Sequence, residues 1–134
     1  MDRSLNSLDF RFKNTAIELL ARLVEYGIPV VIVNTRRTEE EQKEMLARNV
    51  SWTAHSKHQD GLAIDVCPIE QFTLHGEEKL QWDAQDPVWE GLGAVGEALG
   101  LVWGGRWKIR DLGHFEWVSL ADRVKISGAP TNVL

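Results

Sequence analysis

Two short segments hold side chains whose types and spacing can do chemistry. The first is Ser56-Lys57-His58-Gln59-Asp60-Gly61-Leu62-Ala63-Ile64-Asp65 and the second is Asp111-Leu112-Gly113-His114-Phe115-Glu116-Trp117. Side chains alternate along a strand. If Leu62, Ile64 and Val66 face a core, Ala63 and Asp65 face the other way, and His58 can swing over that face from the turn that Gly61 permits. In the second segment His114 and Glu116 share one face, while Phe115 and Trp117 share the other. Two imidazoles and one carboxylate, here His58, Asp65 and His114, are a common catalytic zinc set with a fourth position left for water. Asp111, just before His114, would then act as general base on a water whose pKa zinc lowers to about 7. The same residues also fit a plainer reading as polar surface groups, and spacing alone leaves both open.

Other reactive side chains give weaker signals. Glu116 is either a base or the partner that orients a metal-binding histidine. His55 falls outside the motif and is not expected to be a ligand; His75 is expected to face solvent. Cys67 is the only cysteine, which excludes an internal disulfide and a thiolate-built zinc site, and beside Pro68 it reads as a small buried residue. Trp89 and Trp117 fall on apolar faces and belong to a core. Trp52, Trp103 and Trp107 lie in or beside loops near the proposed cleft, where packing and substrate contact are both open, and Trp103 is taken as a substrate contact.

The elements that must position these residues follow from periodicity and punctuation. Phe12, Ala16, Leu19, Leu20, Leu23 and Val24 fall at helical spacing between a capping Asp9 and a terminating Gly27, after a loose start over 1–8. Ile28-Pro29-Val30-Val31-Ile32-Val33 reads as a buried strand. Thr38-Glu39-Glu40-Glu41 is a capping box that opens a helix to about Arg48. Leu62–Val66 is a short strand, and 67–85 reads mostly as a surface excursion. Asp86-Pro87 starts a further helix with Pro87 in its first position, an apolar face of Val88, Trp89, Leu92, Val95 and Leu99, and Gly100 at its end. Leu101-Val102-Trp103 and His114–Val118 read as two more strands, and Ser119–Lys125 as a last short helix. The predicted class is α+β: a small, mostly antiparallel sheet with helices on one face and the zinc site on the other. A single domain over 1–134 is expected, with its motif-bearing core at about 28–118.

Composition narrows the function classes. The chain has 134 residues and a net charge of −5, with no basic stripe, which argues against nucleic acid or anionic lipid as a partner. No apolar run approaches the roughly 18 residues of a membrane helix. Met1-Asp2-Arg3-Ser4-Leu5-Asn6 lacks the apolar stretch of a signal peptide. The expectation is a monomer that accumulates in the cytoplasm and, if it acts outside the cell that makes it, is released by something else.

Ser56-x-His58-x-x-Gly61-x-Ala63-x-Asp65, followed by Asp111-x-x-His114-Phe115-Glu116, resembles the D-alanyl-D-alanine metallopeptidase family. That family includes D,D-carboxypeptidases, D,D-dipeptidases and the L-alanyl-D-glutamate endopeptidases that bacteriophages use as endolysins. Trp103-Gly104-Gly105 is similar to its Trp-Gly-Gly segment, and the likeness runs from about Val30 to Val118. The resemblance implies a Hedgehog-like or D,D-peptidase-like fold, Zn2+ as cofactor, His58, Asp65 and His114 as its ligands, and Asp111 as acid/base. It makes Arg37, within Arg37-Thr38-x-x-x-Gln42, an oxyanion-stabilising or substrate-contacting residue, Ser56 a neighbour of bound substrate and Glu116 a partner of a histidine. The family usually has a small or aromatic residue just before that arginine, whereas Arg36 stands here; Thr38 and Gln42 set the register that favours Arg37.

The implied function is hydrolysis of the peptide stems of bacterial peptidoglycan, foremost as an L-alanyl-D-glutamate endopeptidase serving a phage as endolysin. A D-alanyl-D-alanine dipeptidase or carboxypeptidase is the enzyme alternative. A non-catalytic zinc-containing binding module, as in the Hedgehog signalling domain, is the other, and retention of Asp111 argues against it.

Overall fold

The computed structural model describes residues 1–49, 51, 55–72 and 77–127. Trp52 and His75 fall outside them. The first long helix, α1 (Phe10–Glu25), starts where the Asp9 carboxylate accepts from the Arg11 N–H, and it buries Phe12, Ala16, Leu19 and Leu23. Strand β1 (Val30–Asn34) follows. Helix α2 (Glu39–Ala47) opens on the expected capping box, Thr38 accepting from the Glu41 N–H and Glu41 from the Thr38 N–H. Then come β2 (Ala63–Phe72), β3 (Glu77–Leu80), α3 (Val88–Ala98), β4 (Val102–Trp103), β5 (His114–Glu116) and α4 (Leu120–Ser127).

The described strands join in the order β1-β2-β5-β4, with β3 also pairing to β2, and every pairing is antiparallel. α1 and α3 close over one face of this sheet. Their Phe12, Leu19, Leu23, Trp89 and Leu92 meet Leu62, Ile64, Val66 and Phe115 in one core. The class is α+β, as predicted, and the alternation predicted for both motif segments holds: Ile64 and Phe115 are fully buried in that core, while Asp65, His114 and Glu116 stand on the opposite face.

Two expectations need correction. Residues 1–8 are not loose. They form one 3-10 turn at Leu5–Ser7 and bury Leu8, and Asp2 accepts from Thr35 through both its backbone carbonyl (2.8 Å) and its carboxylate (3.2 Å). The surface excursion expected over 67–85 includes a strand pair: among the described residues β2 runs on to Phe72 and pairs with β3, while 79, 80 and 82–85 are exposed as expected. Pro68 falls where β2 passes from β1 to β3 as its partner, so a residue that usually interrupts strands is accommodated. The expected start of α3 holds: Pro87 has helical backbone angles (φ −64°, ψ −13°) just ahead of Val88, and Asp86 Oδ1 accepts from the Val88 N–H at 2.9 Å.

Gly61 joins the motif turn to β2. Its φ is +71°, and a Cβ there would stand 2.8 Å from the Asp9 nitrogen, whose N–H donates to the Gly61 carbonyl. Gly61→Ala is therefore expected to cost about 1–3 kcal/mol of stability, read as a lower urea midpoint. An unchanged midpoint would mean that the turn re-forms in another conformation.

Candidate metal centre

β2 is the strand on which the site is built. Asp65 lies opposite Asn34 of β1 on one side and His114 of β5 on the other. Directly opposed residues of an antiparallel pair bring their side chains together, and His114 Nδ1 stands 3.0 Å from Asp65 Oδ1. His58 arrives from the turn before β2. That turn is closed by Gln59, Asp60 and Gly61 N–H groups on the Ser56, Lys57 and His58 carbonyls, and by the His58 N–H on Ser56 Oγ at 3.2 Å.

The His58 ring is almost wholly buried, and its Nδ1 lies 2.7 Å from the Thr35 carbonyl. A carbonyl only accepts, so Nδ1 carries a proton and Nε2 is the ring nitrogen left to face Asp65. That Nε2 is 3.1 Å from Asp65 Oδ2 but makes no hydrogen bond. A buried imidazole nitrogen turned to a carboxylate at this distance calls for a positive charge between them, a proton or a metal cation. One ligand atom each from His58, Asp65 and His114 lies within 4.8 Å of the other two. Two nitrogens and one oxygen at this spacing fit a small divalent ion of the zinc type.

The charges around this centre are strongly coupled. Burial alone would raise the Asp65 pKa, but hydrogen bonds and charge from His114 and His58 outweigh it and hold it well below the usual carboxylate range. Burial alone would lower the His114 pKa, yet Asp65 and Glu116 push it up to about 10. His114 Nε2 lies 2.8 Å from Glu116 Oε1. If Nδ1 held an ion in place of its proton, Nε2–H would still donate to Glu116 and fix the ring. Glu116→Ala should weaken zinc binding roughly 10–100-fold in a folded protein. Equal affinity by competitive titration with a chromophoric chelator would show that other contacts hold the ring.

Asp111 Oδ2 stands 3.9 Å from His114 Nδ1. Its side chain is exposed, yet the cleft walls desolvate the carboxyl enough to raise its pKa. Asp65 adds to that, against the attraction of His114, His58 and Arg37. The Asp111 N–H donates to the Gly104 carbonyl at 2.9 Å, and a Cβ on Gly104 would stand 2.5 Å from the Asp111 carbonyl oxygen. This close approach explains the glycine after Trp103.

Arg37 enters the cleft, whereas Arg36 is exposed and reaches the Ser7 carbonyl at 3.4 Å on the other side. Neighbours in an extended segment point to opposite faces. Arg37 is buried, which lowers its pKa, while Asp65, Glu41 and Asp111 favour its charge. Its Nη1 donates to Gln42 Oε1 at 2.6 Å, and Gln42 Nε2 donates to Ser51 Oγ at 2.8 Å.

These groups line one cleft of about 540 Å³, with Ser56, Lys57, Trp107 and Arg110 also on its walls. Trp103 is not among them. Its ring is 1% exposed, its Nε1 donates to the Leu112 carbonyl at 2.7 Å, and it packs against Gly93 and Gly105, so the expected substrate contact is corrected to a core residue. Trp107 takes the cleft position, its ring 5.0 Å from that of His114. His55 sits on the rim, paired with Asp60 at 3.0 Å. The Thr35 carbonyl that orients His58, and the Asp2 contacts that hold Thr35, carry no signal in the sequence. Gln42 was visible only as part of the segment Arg37-Thr38-x-x-x-Gln42.

Residues 49–117 match the family model described as D-alanyl-D-alanine carboxypeptidase. No curated protein matches the chain by sequence. Among solved structures, the L-Ala D-Glu endopeptidase ChiX of Serratia marcescens is similar at 25% identity and a TM-score of 0.62, over 88% of this chain and 85% of that one. VanYB in complex with D-alanine-D-alanine is similar at 17% identity and a TM-score of 0.58, over 91% and 78%. A mutant of the vancomycin-resistance D,D-pentapeptidase VanY in complex with Zn(II) is similar at 17% identity and a TM-score of 0.57, over 90% and 78%.

Proposed function

Since the chain belongs to the D-alanyl-D-alanine carboxypeptidase family of metallopeptidases, we propose that it is a zinc-dependent hydrolase of bacterial peptidoglycan that cuts the L-alanyl-D-glutamate bond of the peptide stems. The observation that carries the metal part is the cluster of His58, Asp65 and His114 ligand atoms within 4.8 Å of one another, with the buried His58 Nε2 turned toward Asp65 without a hydrogen bond. The likeness to ChiX over most of both chains supports the choice of bond.

His58, Asp65 and His114 hold the zinc, which when bound supplies Lewis-acid polarisation of a scissile carbonyl and of a water. The chain's own residues do the rest. Asp111 takes a proton from the attacking water and passes it to the leaving amine. Its raised pKa keeps it a stronger base than an ordinary carboxylate. Arg37, clamped by Gln42, faces the charge that develops on the carbonyl oxygen, a role for which removing one donor costs roughly 3 kcal/mol. Glu116 keeps the His114 ring in place. The Ser56 hydroxyl accepts from the His58 N–H and retains its own proton to offer to substrate.

Digestion of purified peptidoglycan, with and without a chelator, tests this reading. New N-terminal D-glutamate or D-isoglutamine, lost on chelation and restored by zinc, is expected. Release of D-alanine or its dipeptide would move the activity to the D,D-peptidase branch, and a zinc-loaded protein inert on every wall substrate would make it a binding module. As part of the same reading the protein serves a phage as endolysin, supported by its resemblance to small endolysins. No described helix is long and apolar enough to cross a membrane. Co-expression with a pore-forming protein should lyse a bacterial host, and expression alone should not.

A further inference from the structure

Among the described residues three lysine or arginine side chains line the cleft: Arg37, Lys57 and Arg110. Two are already engaged. Arg37 donates to Gln42 and lies in the field of Asp65, Glu41 and Asp111. Arg110 donates through Nε to the Gly105 carbonyl at 2.9 Å, and its Nη2 stands 3.9 Å from Glu90.

Lys57 differs. Its ammonium makes a single polar contact, with the Trp117 carbonyl at 3.3 Å. Among the described residues no carboxylate lies within 4.0 Å of it. This holds in a chain with 20 acidic residues against 15 basic ones. The side chain is half-buried, and its root is fixed, because the Lys57 carbonyl accepts from the Asp60 N–H at 3.2 Å and the Leu62 N–H at 3.0 Å. The Trp117 contact brings the ammonium to the end of β5, next in sequence to Glu116, whose carboxylate is occupied with His114. An ammonium has three donors, and here one is used on a neutral acceptor. A partly desolvated charge so placed gains a charge-assisted bond when an anion enters the cleft.

A D-glutamyl residue linked onward through one carboxyl keeps the other free and ionised beside the scissile bond; amidation makes that group neutral. We propose that Lys57 binds this free carboxylate, so that the cleft selects stems carrying D-glutamate over stems carrying its amide. The inference rests on the endopeptidase reading above and deepens it. Arg37 and Asp111 act on the reacting atoms, whereas Lys57 reads the residue that leaves.

The test compares two synthetic stem peptides, identical except that one carries D-glutamate and the other its amide. Cleavage is measured for the wild type, Lys57→Gln and Lys57→Arg, with zinc content checked in each. The wild type should favour the carboxylate stem roughly 10–100-fold in kcat/KM, the range of a hydrogen bond to a charged group, and the preference should appear in KM. Lys57→Gln should bring the ratio towards one with zinc retained, and Lys57→Arg should keep it. Equal cleavage of both stems by the wild type, or an undiminished ratio in Lys57→Gln, would overturn the subsite while leaving the endopeptidase reading intact. Failure of the zinc-loaded wild type to cut either stem at the L-alanyl-D-glutamate bond would overturn that reading, and this subsite with it.

Discussion

Replacing His114 with alanine is expected to abolish zinc occupancy and turnover together. His114 supplies one of the three ligand atoms that lie within 4.8 Å of one another, and no other described histidine or acid joins that set. Losing an outer partner of a ligand costs roughly 10–100-fold in affinity, and losing the ligand itself removes a bond from the ion. The variant also leaves Asp65 and Glu116 facing a void without their shared partner. Metal analysis after dialysis reads the outcome, and full zinc occupancy in the variant would remove His114 from the ligand set. A second readout uses the metal-free protein, where His114 is a cation held between two carboxylates with its pKa raised from 6.5 to about 10. A raised folded-state value adds stability in full below the unfolded value and loses it as pH climbs through the folded one. The chelated wild type should therefore weaken between about pH 6.5 and 10, by urea midpoint, and the variant should lack that decline.

Asp111→Asn should keep zinc and lose turnover by roughly 10²–10⁴-fold, the usual worth of a positioned general base. The substitution preserves shape, and the Asp111 backbone bonds to Gly104 and His114 stay available, so the loop should not move. A carboxamide cannot accept the proton of the attacking water. The two substitutions thus separate metal retention from turnover. Near-normal turnover in Asp111→Asn would transfer the base role to Glu116, whose engagement with His114 at 2.8 Å argues against it.

The sequence was most readable where one physical rule dominates. Alternation about Asp65 and about His114 is the same in sequence and in space, because each strand has one face in a dry core. The capping box of α2 is a local contact and needed no tertiary information. What stayed hidden depends on partners far along the chain. The second half of β2 mixes Pro68, Glu70 and Gln71 and looks like a loop, until β3 supplies its hydrogen bonds. Residues 1–8 carry little apolar signal, and what fixes them is Thr35, 33 residues beyond Asp2. The Trp103 fate was ambiguous because a tryptophan beside a loop can turn either way; two glycines too small to keep its ring out decide for the core. The orientation of the His58 ring rests on a main-chain carbonyl, which every residue has and no motif can mark.

The strand order β1-β2-β5-β4 places the last-made strand inside the sheet, between two made before it. β5 carries His114, and its partners on β2 lie about fifty residues earlier. Contacts of such long separation form slowly, because loop closure precedes any gain from them. A chain growing on the ribosome therefore cannot complete its metal centre until β5 has emerged and slotted between its neighbours. Nascent or prematurely ended chains lack a complete ligand set, and the rate of zinc capture during refolding should report the closing of the sheet.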